Sequence, residues 1–229
     1  KPTVATVIHG RPLDLSWEAA NVPAILACWT PGSEGGRAIA EVLFGDYNPS
    51  GKLPVSFPRA VGQEPLYYNI KHTGRPYKGD YSEPASNRIY LSKYRDVKTD
   101  ALYPFGFGLS YTTFSYSDIR LSKAKIGMNE TLTVTVDVTN TGKYAGEEVV
   151  QLYIRDLVGS VTRPVKELKG FQKLNFQPGE KKTVTFTLGK NDLAFWHAGQ
   201  GFVAEPGQFK VFVGGNSRDV KEAGFELSK

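Results

Sequence analysis

The sequence predicts an α/β segment followed by an all-β domain. Two continuous apolar runs near the start of the chain, Val4–Ile8 and Ala24–Trp29, are typical of strands buried on both faces of a parallel sheet. Further along the chain the period changes to two, and Leu132, Val134 and Val136 alternate with threonines. These patterns favour a partial α/β sandwich domain, with a parallel sheet and flanking helices, and then a β-sandwich.

The α/β segment reads as strand, helix, strand, helix. A weak helical spacing covers Leu13–Asn21, between the two apolar runs. For the second helix we expect Ser33 to be the N-cap and Gly45 to end the helix. The Leu-Pro run at residues 53–58 is expected to form one more strand. Because so few strands are present, the segment is expected to need further elements upstream of Lys1.

The stretch from Val61 to Asp100 shows no sustained period of 2 or 3.6. It carries six tyrosines together with several glycines and prolines. A loop of this length in a compact domain is usually functional or disordered, and the aromatic content argues against disorder. This stretch is therefore the best functional candidate in the chain.

The β-sandwich is predicted from about seven short alternating runs with turn signals between them. Asn140-Thr141-Gly142 and Pro178-Gly179 are the clearest turns. The apolar positions of the later strands are Val150, Leu152, Ile154, Val184, Phe186, Leu188, Phe209, Val211, Val213, Phe225 and Leu227.

Composition argues against several classes of function. The net charge of +5 comes from 28 Lys and Arg that are scattered along the chain, which argues against a nucleic-acid partner. No apolar run approaches the length of a membrane span. The single cysteine, Cys28, lies in an apolar run and is expected to be a small buried side chain. His9, His72 and His197 lack metal-ligand spacing, so no metal or cofactor is expected.

Three segments in order carry a family resemblance: WTPGSEGG from Trp29, LFGDYNPSGKLPVSFP from Leu43 and YPFGFGLSYTTF from Tyr103. They resemble the second domain of glycoside hydrolase family 3, the family of β-glucosidases and β-xylosidases. The later segments VTNTGKYAGEEVVQLYIRD and FQPGEKKTVTF resemble the immunoglobulin-like fibronectin type III domain that closes many chains of this family. We accordingly predict an α/β segment at residues 1–66, a connecting segment at 67–102 and a sandwich at 103–229.

The resemblance implies a retaining enzyme that releases terminal β-linked glucosyl or xylosyl residues. In the family the nucleophile is an aspartate of an N-terminal barrel, and the acid/base is a glutamate upstream of the strand that matches Ala24–Trp29. Neither segment is present, so no catalytic residue is predicted in this chain, and the chain alone is expected to be inactive. Glu34, which follows a strand end, is expected to lie in the first turn of a helix rather than to act as a catalyst. The expected partners are the upstream barrel and α/β domain, and the expected location is periplasmic or extracellular.

Four residues of the connecting segment are predicted to bind substrate: Arg75, Tyr77, Tyr90 and Tyr94. Tyrosine rings offer flat faces to sugars, and an arginine fork matches vicinal hydroxyls. In family members that dimerise, the segment around a GRPY-like motif lies near the partner's active site, so a homodimer is expected by resemblance. The alternative is that these tyrosines lock an irregular loop onto its own domain.

A second class of function is a non-catalytic carbohydrate-binding or structural module of a polysaccharide-degrading enzyme. Trp196 would serve such a module if it were exposed, because exposed aromatic rings stack on sugars. The resemblance instead implies that Trp196 fills the edge of the core.

Overall fold

The computed structural model describes residues 1–76 and 91–229. The α/β segment contains four regular elements and one 3-10 turn at Val61–Gln63. In chain order they are β1 (Val4–Ile8), α1 (Ser16–Asn21), β2 (Ala24–Trp29) and α2 (Gly35–Phe44).

Strands β1 and β2 form the predicted parallel pair, with Val4 opposite Ala24 and Val7 opposite Ala27. The prediction that both faces are buried is wrong for β1. Its side chains alternate between half-buried and exposed, and Ile8 is 65% exposed. The two strands pair only with each other within the described residues, so each keeps an unpaired edge there. The exposed alternate side chains of β1 show that one face of this small sheet lacks a covering layer in that part of the chain.

The N-cap of helix α2 lies one residue later than predicted, at Glu34 instead of Ser33. Gly32 has a positive φ of 71°, and its carbonyl accepts a hydrogen bond from the amide of Gly35 at 3.1 Å. This turn takes up Ser33, so Glu34 becomes the N-cap, without a capping hydrogen bond from its side chain. Gly45 ends the helix with φ 86°, as the sequence predicts.

Residues 53–58 do not form the predicted strand. They run antiparallel to residues 103–107, and among the described residues the two segments share one β-bridge, between Phe57 and Tyr103. Leu53 adds two backbone hydrogen bonds, to Gly106 and Phe107, each of 2.8 Å. Pro54 and Pro58 lack the amide donors that would point away from residues 103–107, so the run cannot gain a second ladder on its other side.

The sandwich consists of two sheets. Its strands are β3 (Phe114–Tyr116), β4 (Arg120–Leu121), β5 (Lys125–Gly127), β6 (Leu132–Asn140), β7 (Gly146–Asp156), β8 (Glu167–Phe176), β9 (Lys181–Leu188), β10 (Phe195–His197), β11 (Gly201–Val203), β12 (Gly207–Gly214) and β13 (Val220–Ser228), with the short helix α3 (Lys190–Leu193). One sheet has the order β5-β13-β12-β7-β8. In the other, β6 pairs with β9 on one side and with β3 and β4 on the other. Strands β10 and β11 form a separate hairpin.

The core lies between the two sheets and is built from the predicted apolar positions. In β6 every second residue from Leu132 to Asn140 is buried. Asn140 is polar and fully buried, and its side chain is satisfied: it accepts from Thr112 at 2.6 Å and donates to the carbonyl of Tyr144 at 2.8 Å. The alternation predicted for this strand is therefore confirmed, with a hydrogen-bonded amide at its end.

Strand β7 differs from the others because its middle is buried on both faces. Gln151 and Tyr153 point away from the core and are 3% and 0% exposed. Gln151 donates to the carbonyls of Gly106 and Gly215, at 3.2 and 2.7 Å. The residues before β3 and the loop between β12 and β13 therefore cover the outer face of β7.

Candidate functional site

The connecting segment first contacts the sandwich at Tyr68. Its ring stacks on Phe105 with centroids 4.2 Å apart and meets Tyr153 edge to face at 5.9 Å. Its hydroxyl oxygen accepts a hydrogen bond of 3.1 Å from the amide of Leu168 in β8. Burial, and then the neighbouring Tyr68, raise the pKa of Tyr153 well above its ordinary value, so Tyr153 stays protonated.

The residues that follow Tyr68 pair with the loop between β7 and β8. The carbonyl of Ile70 accepts from the amide of Val165 at 2.9 Å, and Lys71 forms an antiparallel bridge with Pro164. The side chain of His72 lies 2.6 Å from the guanidinium of Arg155, measured from Nε2 to Nη2. Residues 68–72 thus form what we call the outgoing leg, which rests on the sandwich.

The chain closes on itself at what we call the stem, residues 73–76 and Ser92. The hydroxyl of Thr73 donates to the hydroxyl of Ser92 at 2.7 Å. The amide of Ser92 donates to the carbonyl of Arg75 at 2.9 Å, and Pro76 bridges to Ser92. The side chain of Arg75 is exposed at this stem.

The segment then returns along the α/β segment. The hydroxyl of Tyr94 donates to the carbonyl of Gln63 at 3.4 Å, and its amide donates to Thr99 at 3.3 Å. Gln63 is only 2% exposed: its side chain accepts from the amide of Arg59 at 2.6 Å and donates to the carbonyl of Lys98 at 2.8 Å. Residues 93–99 form the return leg, which rests on the α/β segment.

Of the four predicted substrate-binding residues, the structure describes two. Arg75 lies on the stem, and Tyr94 lies two residues beyond Ser92 with 37% of its surface exposed. Tyr77 and Tyr90 lie outside the described residues. The stem therefore places the backbone of Arg75 next to Ser92, one residue before the return leg that carries Tyr94.

Sequence reasoning missed the residues that hold this segment in place. Tyr68 was one of six tyrosines, and nothing in the local pattern distinguishes a ring that packs on the sandwich from one that faces solvent. Gln63 sits in an irregular stretch, where a buried amide leaves no periodic signal. Their partners, Leu168 and Lys98, lie 100 and 35 residues further along the chain, so only the tertiary structure identifies the pairs.

Two other polar candidates from the sequence, Glu34 and Cys28, lie at the start of a helix and within a strand. Glu34 is exposed at the start of α2, and burial raises the pKa of the half-buried Cys28 thiol. Among the described residues, His, Cys, Asp and Glu do not form a group that would hold a metal ion. No helix in that part of the chain is long and apolar enough to cross a membrane.

The implied burial of Trp196 is wrong. Strands β10 and β11 pair Trp196 with Phe202 on their outer face, where the two side chains are 65% and 75% exposed. The rings meet edge to face with centroids 5.4 Å apart. Phe195, one residue earlier, points inward and is 3% exposed beneath the guanidinium of Arg163. Because successive side chains of a strand face opposite sides, the Trp196 ring faces outward where Phe195 faces inward.

Two family models match the chain. The glycosyl hydrolase family 3 C-terminal domain matches residues 1–111, and the fibronectin type III-like domain matches residues 148–217. The first match includes the whole connecting segment, and the second includes β8, on which the outgoing leg rests.

Relatives match over nearly the whole chain. A periplasmic β-glucosidase of Salmonella typhimurium is 51% identical over 99% of the chain, and a β-xylosidase of Formosa agariphila is 46% identical over 95%. The crystal structure of a β-glucosidase from Listeria innocua with isofagomine superposes on 100% of the chain with a TM-score of 0.93 and 42% identity. The chain spans only 29%, 28% and 31% of these three proteins, respectively. Since the two family models agree with matches over nearly the whole chain, the chain belongs to glycoside hydrolase family 3, and it matches that family's C-terminal domain and a fibronectin type III-like domain.

Proposed function

We propose that this chain is the C-terminal part of a retaining β-glucosidase that removes terminal β-D-glucosyl residues from oligosaccharides. The observation that carries the proposal is the 51% identity to a periplasmic β-glucosidase across 99% of the chain. The superposition on the Listeria innocua β-glucosidase supports the same activity. The matched relatives are named as glycosidases, which argues against a separate carbohydrate-binding module.

Retaining hydrolysis needs two carboxyl groups about 5 Å apart, one as nucleophile and one as acid/base. By the family resemblance the nucleophile belongs to an N-terminal barrel and the acid/base to a segment before the strand that matches β2, so the proposal assigns this chain no direct part in bond cleavage and no cofactor. Its contribution in the proposal is the scaffold on which the upstream barrel and α/β domain pack. The exposed side chains of β1 support this, because an apolar strand face needs a covering layer.

The connecting segment adds a proposed contribution to the substrate rim. Arg75 is exposed at the stem, and a guanidinium there can donate to two neighbouring sugar hydroxyls. The exposed part of the Tyr94 ring offers a face for stacking, although its hydroxyl is occupied by Gln63. A homodimer, in which the stem of one copy reaches the active site of the other, and a periplasmic or extracellular location complete the proposal. The location rests on the name of the Salmonella typhimurium relative.

The test is hydrolysis of p-nitrophenyl β-glucoside by this chain alone, by the full-length enzyme and by the chain mixed with its upstream part. We expect no hydrolysis by the chain alone and activity in the other two samples, because the carboxyl pair lies upstream. Hydrolysis by the chain alone would mean that a local carboxylate, such as Glu34, is catalytic.

A β-xylosidase is the second candidate, favoured by the 46% identical relative. Parallel assays with p-nitrophenyl β-xyloside separate the two. A value of kcat/KM higher for the xyloside than for the glucoside would assign the protein to the second candidate.

A further inference from the structure

The stem that carries Arg75 has one leg on each of the two parts of the molecule. The outgoing leg rests on β7, β8 and the loop between them through Tyr68, Ile70, Lys71 and His72. The return leg rests on the α/β segment through Tyr94. The position of the stem therefore depends on the sandwich as much as on the α/β segment.

Among these contacts, those of Tyr68 are the most extensive. The ring lies between two aromatic partners, Phe105 at 4.2 Å and the fully buried Tyr153 at 5.9 Å. Its hydroxyl oxygen also accepts a hydrogen bond from the amide of Leu168. This contact lies where the ladder between β7 and β8 shifts register, between Leu152 and Tyr153. The shift leaves Lys169 without a partner in β7, so Tyr68 holds β8 one residue from the bulge.

We propose that Tyr68 is a positioning residue for the stem and that the sandwich, through Tyr68, sets where Arg75 stands. This inference rests on the proposed role of Arg75 at the substrate rim and deepens it. In the proposal the sandwich acts on substrate affinity from a distance, without touching the sugar. Tyr68 itself touches neither substrate nor catalytic group.

The experiment uses the full-length enzyme with four variants. Tyr68→Leu removes both ring contacts and the acceptor, Tyr68→Phe keeps the ring contacts, and Arg75→Ala removes the proposed rim group. Tyr144→Leu is the matched control, since Tyr144 is a sandwich tyrosine with 63% of its surface exposed. Each variant is assayed for kcat and KM with p-nitrophenyl β-glucoside and for the rate of tryptic cleavage after Lys71 and Lys93, which flank the stem.

We expect Arg75→Ala and Tyr68→Leu to raise KM about tenfold with kcat nearly unchanged, because a rim group that binds substrate and transition state equally affects KM alone. Tyr68→Leu should also speed cleavage at both lysines at least about threefold, since local opening becomes easier. Tyr68→Phe should stay within about twofold of the native enzyme in both measurements, because most of the buried contact area remains. Tyr144→Leu should match the native enzyme.

The two readouts separate the inference from the proposed function. An unchanged KM in Arg75→Ala would overturn the rim role, and the cleavage rates would still report on positioning. If Arg75→Ala raises KM but Tyr68→Leu changes neither KM nor cleavage, the positioning role is wrong. Should Tyr68→Leu fail to fold, Arg155→Met replaces it, because it removes the contact with His72 and leaves Tyr68 in place. A rise in KM and in cleavage is again expected, and native values would overturn the inference.

Discussion

At the scale of single residues, Lys166 is an ammonium group placed among aromatic rings. Its Nζ lies 4.6 Å from the centroid of the Phe212 ring and 5.9 Å from that of Tyr153, and it donates to the carbonyl of Ser217 at 2.6 Å. Burial lowers the pKa of this ammonium to about 8, although the carboxylates of Glu222 and Asp219 oppose the shift. The charged form is therefore less stable in the folded protein than in the unfolded chain.

This shift predicts a pH dependence of stability. The unfolded lysine, with a pKa of about 10.4, holds its proton up to a higher pH than the folded one, so stability should rise between about pH 8 and pH 10.4. The free energy of unfolding of the native protein minus that of Lys166→Met should increase by about 2 kcal/mol over that window and be flat below pH 8. Urea unfolding at a series of pH values measures the difference. A difference that stays flat or falls above pH 8 would contradict the burial of the charge.

At the scale of elements, the carboxylate of Glu148 in β7 joins three parts of the chain. It accepts from the hydroxyl of Tyr116 in β3 at 2.8 Å and pairs with the ammonium of Lys52 at 3.0 Å. The side chains of Lys52 and Glu148 are only 13% and 6% exposed. Burial, followed by the charge of Glu148, raises the pKa of the Tyr116 hydroxyl, which keeps it a donor. These contacts tie the α/β segment to both sheets of the sandwich.

Removing one charge of this pair should therefore be costly. We expect Glu148→Gln to lower the free energy of unfolding by about 3 to 5 kcal/mol, because the ammonium of Lys52 is left buried without a counter-charge. The matched control is Glu226→Gln, which breaks the exposed pair with Lys125 and should cost less than about 1 kcal/mol. Denaturant unfolding measures both, and equal losses in the two variants would show that burial of the pair does not matter.

Elements with a strong period were predictable from the sequence. The bounds of β1 and β2 agree with the predicted runs, and Gly45 ends α2 as expected, because backbone preference and local pattern decide these features. The covering of strand faces was not predictable: the exposed side of β1 and the covered outer face of β7 both depend on distant residues. For the same reason the sequence did not show that Tyr68, among the tyrosines of the connecting segment, is the one that packs on the sandwich.

The predicted boundaries at residues 66 and 102 stay predictions. The structure shows how the parts adjoin: Arg59 of the α/β segment and Arg218 of the sandwich both approach Asp100, at 3.2 and 3.3 Å. Contacts of this kind cross either boundary, so the connecting segment is tied into both of its neighbours.

At the scale of the whole molecule, the proposed homodimer is open to a direct measurement. If the connecting segment reaches a second copy, deletion of residues 71–96 from the full-length enzyme should convert a dimer into a monomer. Size-exclusion chromatography with light scattering gives the mass of both forms. A monomer before and after the deletion, or a dimer in both, would rule out a role of this segment in dimerisation.

The two legs of the stem also determine how domains of this family can be exchanged. A chimera that takes a foreign sandwich from residue 103 onward would separate Tyr68 from Leu168 and Ile70 from Val165, although the junction falls outside every strand. A crossover near residue 66 would keep the outgoing leg with its sandwich but would part Tyr94 from Gln63. Because Tyr68, Ile70 and Tyr94 contact backbone atoms of Leu168, Val165 and Gln63, recombination at either junction is expected to succeed only where the foreign domain keeps the same backbone path at these points. The two domains are therefore best exchanged together, even though each has its own recognisable sequence.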